Sequence, residues 1–159
     1  MNKFDAIQKH LTESNIPFEL IHHKPTHSVV EGLAEIGIEA SQGFSSLLMN
    51  ADGKFIMILR RDDNQVSFGK VKKQLKIKNL TFATKEEVFE ITGCNIGYVS
   101  PYNPEIPTYI DEKILEKDCV YGGSGSPEHD LKLKPADLMK LSSATPLDIG
   151  KDLRRNIKF

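Results

Sequence analysis

The chain has 159 residues, of which 39% are hydrophobic and 27% charged, and its net charge is −1. That length holds one domain able to bury a core without disulfide or metal staples. The near-neutral charge excludes a protein that coats long nucleic acid by charge alone, though not one that grips a single RNA end. The two cysteines, Cys94 and Cys119, form no Cys-x-x-Cys pair and cannot supply a four-ligand zinc site. They read as reduced thiols, with Cys94 close enough to a glycine turn to reach a pocket wall. The apolar run Ile56-Met57-Ile58-Leu59 is far too short to span a membrane, and Met1-Asn2-Lys3-Phe4-Asp5 lacks the apolar core of a signal peptide. A cytoplasmic location is therefore expected.

In chain order, Phe4, Ile7 and Leu11 share one helical face, and Asn15 and Pro17 end that helix. Phe18 to Ile21 reads as a short strand. Ser28-Val29-Val30-Glu31 has capping-box spacing and opens a helix to about Ile36, with Gly37 as its stop. Phe44 to Asn50 and Lys54 to Leu59 flank Ala51-Asp52-Gly53, where Asp-Gly between apolar runs signals a hairpin because the turn needs positive φ. Ser67 caps a helix bearing Val71 and Leu75. Thr84-Lys85-Glu86-Glu87 is a second capping box, and Gly93 stops the helix it opens. A strand is expected near Ile96 to Ser100, then a loop with Pro101, Pro104 and Pro107. Strands follow at Thr108 to Ile110, Cys119 to Tyr121 and Leu131 to Leu133. Pro135 suits the first turn of a closing helix through Leu141. Helices and hairpins do not alternate regularly, so the class is α+β with a mixed sheet rather than a doubly wound parallel one.

Common catalytic signatures are absent: no phosphate loop, no dinucleotide fingerprint and no Gly-x-Ser-x-Gly elbow, which Gly123-Ser124-Gly125-Ser126 matches only loosely. His22 and His23 are adjacent on a strand and point to opposite faces, so with His27 they make a poor metal set. No metal and no organic cofactor are expected. Gly97 lets backbone approach a ligand, and Pro101 stiffens the turn after it; amides there could hold a developing oxyanion. Gly122, Gly123 and Gly125 leave a stretch with few side chains that can admit a ribose or a small acyl group. His129 and Asp130 follow, and a carboxylate beside a pocket can orient water or bind an ammonium group. Two basic clusters, Lys70, Lys72, Lys73, Lys76 and Lys78, and the tail Lys151, Arg154, Arg155 and Lys158, read first as solvated faces.

Several runs resemble one family in order and spacing. They are Glu19-Leu20-Ile21-His22-His23-Lys24-Pro25-Thr26, Phe82-Ala83-Thr84-Lys85-Glu86-Glu87-Val88, Gly97-Tyr98-Val99-Ser100-Pro101, Tyr121-Gly122-Gly123-Ser124-Gly125, and Asp130 with Pro135 to Leu138. The likeness is to the YbaK/ProX, or prolyl-tRNA-synthetase-associated, family and covers about Phe18 to Leu141. It implies a mixed, barrel-like sheet of six or seven strands surrounded by helices. It also implies hydrolysis of the ester between a wrong amino acid and the 3′-terminal ribose of tRNA. The family pattern Ala-Lys-Thr-Leu-Leu falls on Phe44-Ser45-Ser46-Leu47-Leu48, so a serine, Ser45, stands where the family has lysine. Another departure is Tyr121, where the family has serine.

Arg60 or Arg61 could supply the missing charge, and strand alternation lets only one point inward. The catalytic apparatus is expected at Gly97, Asp130 and His129, with Ser45, Arg60, Pro101, Gly122 and Gly123 around the substrate. The reading is a single-domain trans-editing deacylase acting on the aminoacyl-tRNA acceptor end, with a synthetase as a further partner and neither membrane nor DNA. The alternative is a relative that binds tRNA or a synthetase without turnover, having lost the lysine.

Overall fold

A computed structural model describes residues 2–25 and 29–151 of the chain. Helix α1, Lys3–Glu13, opens on Asn2, whose side chain accepts from the Asp5 amide, and turns Ile7 and Leu11 inward. Asn15 then takes positive φ and ends the run. Strand β1 is Glu19–His22 and helix α2 is Val29–Ile36, closed by Gly37 at φ +71°. The expected cap at Ser28 lies outside the described residues. Strands β2, Gly43–Ala51, and β3, Lys54–Arg61, form the hairpin that the Asp-Gly signal predicts. Asp52 and Gly53 both adopt positive φ at its tip. Helix α3, Phe68–Leu75, starts on Ser67, whose hydroxyl accepts from the Lys70 amide.

Strand β4, Leu80–Phe82, leads into helix α4, Lys85–Thr92. Both bonds of the α4 capping box are formed: the Glu87 amide donates to Thr84 at 3.1 Å and the Thr84 amide to the Glu87 carboxylate at 2.8 Å. Strands β5, Thr108–Asp111, β6, Val120–Gly123, and β7, His129–Leu133, precede helix α5, Pro135–Ser142, and strand β8, Thr145–Leu147.

The strands form one mixed sheet in the order β1-β7-β6-β2-β3-β5-β8, with β4 beside β2. The hairpin is antiparallel, while β6 against β2, β5 against β3 and β8 against β5 are parallel. The α+β class and mixed sheet match expectation, and β4 and β8 are additions to it. Alternation along the hairpin separates two cores. Phe44, Leu48, Met57 and Leu59 join α1, α4 and α5 on one face; Met49, Ile56 and Ile58 join Val71 of α3 on the other.

One expected strand is not formed. Residues 95–100 make a turn, with the Tyr98 amide donating to the Asn95 carbonyl at 3.3 Å. Gly97 sits at φ +112°, outside strand geometry, and Ile96 is 64% exposed while Val99 is buried. The apolar content that suggests a strand there belongs to one buried anchor and one solvent-facing side chain.

The edge of β2 is shared. Strand β6 pairs only with Gly43 and Phe44, and β4 pairs only with Met49 to Ala51. Ser45, Ser46 and Leu47 therefore meet β3 on one side and a gap on the other. The Leu48 carbonyl accepts from the Ala83 amide on the gap side, so two residues back Ser46 turns its own N–H and C=O toward the gap.

Candidate active site

A cleft forms where β6 and β7 meet the start of the hairpin. His23, Phe44, Ser45, Asp62, Gly97, Gly123 and Asp130 all contribute to its wall, as do Gly32 and Leu33 of α2 and Tyr121. It adjoins a second cavity of about 260 Å³ in the β2 gap. Leu47, Leu48, Phe82, Ala83, Val88, Ile96 and Val99 give that cavity a largely apolar wall, with Arg60 at one side. Phe44, Ser45, Gly97 and Gly123 border both spaces. A polar cleft opening into an apolar chamber suits a ligand with a reactive polar centre and a side chain to bury.

The glycines fit their places for separate reasons. A Cβ on Gly122 would overlap the Phe44 ring, and one on Gly123 would overlap the Val99 carbonyl. Gly97 has open space around it but needs its positive φ. The Gly125 amide donates to the Tyr98 carbonyl at 2.9 Å, tying the turn at Gly97 to the end of β6.

Three titratable side chains, His23, Asp130 and Asp62, dominate the cleft. His23 is buried; its Nδ1 lies 2.7 Å from the Lys24 carbonyl and its Nε2 3.0 Å from Asp130 Oδ1. A carbonyl only accepts, so Nδ1 carries hydrogen, and one further proton lies between Nε2 and Asp130. Burial raises the Asp130 pKa, and the bond and charge of His23 pull it back down. Asp62 is the more enclosed carboxylate, with its side chain 5% exposed against 24% for Asp130. Burial pushes Asp62 up to about 6, opposed by its bond to Ser45 and by Arg60, and reinforced by the charge of Asp130. The Ser45 hydroxyl donates to Asp62 Oδ1 at 2.6 Å, and Arg60 Nη2 lies 3.7 Å from the same oxygen.

The structure gathers Gly97, Asp130, Ser45, Gly122 and Gly123 around the cleft and sets Arg60 on the adjoining cavity. Of the two arginines, Arg61 turns away to Asp63, at 2.6 Å, and to Glu116. His129 lies on the opposite face of β7 from Asp130, as neighbours on a strand must. Its ring stacks on Phe4 at 4.8 Å and its Nδ1 meets Ser126 Oγ at 3.0 Å. Pro101 is buried behind the turn, and Cys94 is a core thiol rather than part of either wall.

Sequence reasoning did not single out Asp62 or the pairing of His23 with Asp130. The only available signal for Asp62 was the charge run Arg60-Arg61-Asp62-Asp63 at a strand end. Lys70 pairs with Asp148, and the tail residues Arg154, Arg155 and Lys158 lie outside the described residues. No group of three or more His, Cys, Asp or Glu suited to a metal occurs among the described residues. No described helix is long and apolar enough to cross a membrane.

The family model described as aminoacyl-tRNA editing domain matches residues 23–141, a span that runs from the buried histidine to α5. The chain belongs to the aminoacyl-tRNA editing domain family. It is 42% identical over 92 residues to a proline–tRNA ligase of Bacillus licheniformis, covering 56% of this chain and 16% of that protein. It is 31% identical over 120 residues to the proline–tRNA ligase of Desulfovibrio desulfuricans, covering 75% of this chain and 20% of that one. The editing domain thus spans a fifth or less of those ligases. It superposes with a TM-score of 0.82, at 25% identity, on a solved structure described as a candidate trans-editing enzyme for prolyl tRNA synthetase. That match covers 95% of this chain and 99% of the other.

Proposed function

We propose that this editing domain removes wrongly attached amino acids from tRNA, hydrolysing the ester at the 3′-terminal ribose. The observation that carries the reading is the cleft at Gly97, Gly123 and Asp130 on an editing-domain fold. The ester carbonyl lies against the Gly97 turn, where backbone amides hold the developing oxyanion. Asp130, backed by His23, seats the α-ammonium group and so aligns the carbonyl for attack by water. The amino-acid side chain enters the apolar cavity. Choice among side chains comes from that cavity's shape, where one methylene is worth about 1–3 kcal/mol.

The acceptor end of tRNA is the partner in this reading, and a synthetase that produces the mischarged tRNA is a second one, met in the cytoplasm. Single-turnover deacylation of a panel of mischarged tRNAs tests this, with alanyl- and cysteinyl-tRNA for proline and seryl- and threonyl-tRNAs included. Release of one amino acid well above the no-protein rate supports the reading. Binding of tRNA with no release from any member would favour the alternative of a non-catalytic relative, for which Ser45 at the lysine position is the motive.

A further inference from the structure

Two carboxylates face this cleft in unlike surroundings, and unlike surroundings give paired acids different tasks. Asp130 is engaged by the imidazole of His23 and partly exposed. Asp62 is almost wholly enclosed, held by the neutral hydroxyl of Ser45, and has Arg60 at the longer distance of 3.7 Å. Ser45 borders both the cleft and the cavity, so Asp62 lies against the junction where an ester carbonyl would sit. Gly43 gives it room: a Cβ there would overlap Asp62 Oδ2. No lysine lines the cleft or the cavity among the described residues.

We infer that Asp62 is a catalytic residue that takes the proton from the attacking water, with Ser45 and Arg60 as its positioning residues. The inference rests on the ester-hydrolysis reading above. As the water oxygen bonds to the carbonyl carbon, one water proton passes to the Asp62 carboxylate. When the bond from carbon to the ribose oxygen breaks, that proton passes from Asp62 to the departing oxygen. The products are the free amino acid and tRNA with its hydroxyl restored, and Asp62 returns to its starting state. The serine at the lysine position then has a use of its own. It donates to the base and fixes its orientation, which a lysine would do only by neutralising it.

The charged and titratable groups facing Asp62 are Arg60 near the end of β3, Asp130 from β7, and His23 and Tyr121 across the cleft; among the described residues α2 adds Gly32 and Leu33 to the wall. A base that must be ionised gives a rate that falls on acidification through its own pKa, about 6 for Asp62. Ser45→Ala removes a hydrogen bond that favours the charged form, so the midpoint moves upward, by about one pH unit for a bond to a charged group.

The test is the pH profile of single-turnover deacylation, between pH 5 and 8, for the wild type, Asp62→Asn, Asp62→Glu and Ser45→Ala on the tRNA the wild type cleaves best. Asp62→Asn is expected to slow release by about 10²–10⁴-fold, the usual worth of a general base. Partial recovery in Asp62→Glu and an upward midpoint in Ser45→Ala are expected with it. Thermal unfolding of each variant separates lost chemistry from lost fold. Wild-type release that persists within threefold in folded Asp62→Asn overturns the assignment and leaves the deacylase reading intact. A midpoint unchanged in Ser45→Ala also overturns it, because a merely structural pair would not move the titration. Absence of release by the wild type from every mischarged tRNA defeats both.

Discussion

The Val99 carbonyl occupies the space into which any side chain on Gly123 would project. The end of β6 and the turn carrying Gly97 are thereby in backbone contact, and the Gly125–Tyr98 bond holds them so. Gly123→Ala must push the turn outward. Overpacking of this kind costs about 1–3 kcal/mol, and the displaced turn would no longer present its amides to the cleft. Gly97→Ala meets no neighbour and costs only its strained φ, on the order of 1–2 kcal/mol. Both variants are expected to unfold at lower temperature. Substrate binding should weaken more in Gly123→Ala, as a comparison of tRNA affinities at equal folded fraction will read.

His23 favours the charged form of Asp130 against the effect of burial. Burial favours its protonated form, and the histidine offsets that through the 3.0 Å contact and its Coulombic attraction. In His23→Ala the carboxyl keeps its burial and loses its partner, so its pKa rises further. Carbon-13 NMR titration of labelled aspartate should show the Asp130 resonance moving at higher pH than in the wild type. A titration that stays put or falls would mean that the two groups do not share a proton.

Asp62 is destabilising when ionised. Its pKa is about 6 in the fold against 3.8 unfolded, so over that range the native state binds more protons. Stability is greatest below about pH 4 as far as this group is concerned, and declines as pH rises to about 6, by about 2–3 kcal/mol. Asp62→Asn keeps an acceptor for Ser45 without the charge. The variant should therefore be more stable than the wild type at pH 7.5, and the advantage should vanish near pH 4. Urea denaturation at the two pH values checks the sign. A gain in stability together with the loss of turnover expected above is what a residue kept for chemistry would give.

Much of the frame was legible because local rules and tertiary packing agree. Asp52-Gly53, Ser67, Thr84 and Pro135 each sit where the sequence places a turn or a cap. The expected strand at Ile96 to Ser100 failed because an apolar run does not tell which side chains are buried, and of the apolar ones there only Val99 is. Strands β4 and β8 have three residues each and take their identity from the edges they pair with, Met49 to Ala51 and Tyr109 to Asp111. At the cleft, the glycines and Asp130 were readable from motif order. Asp62 was not, because it is brought to Ser45 across 17 positions by hairpin register, and an Asp after two arginines looks like surface charge.

Helix α4 supplies one wall of the cavity through Val88, and its start is fixed by the reciprocal Thr84–Glu87 bonds. Thr84→Ala removes one of them and should cost about 1 kcal/mol, within the usual range for a cap. Thermal unfolding will show a lower midpoint, while Thr84→Ser should restore most of it. An unchanged midpoint in Thr84→Ala would mean that packing of Val88 alone holds the helix start.

The interruption in pairing along β2 has a practical consequence. Ser46 presents its amide to a cavity rather than to another strand, whereas the amides of Met49 and Ala51 lie in a segment flanked by β3 and β4. A ligand that fills the chamber shields that amide from solvent without touching the rest of the ladder. Hydrogen–deuterium exchange at Ser46 thus serves as a built-in occupancy gauge, able to rank uncleavable analogues of different aminoacyl groups with no label attached and no catalytic turnover required.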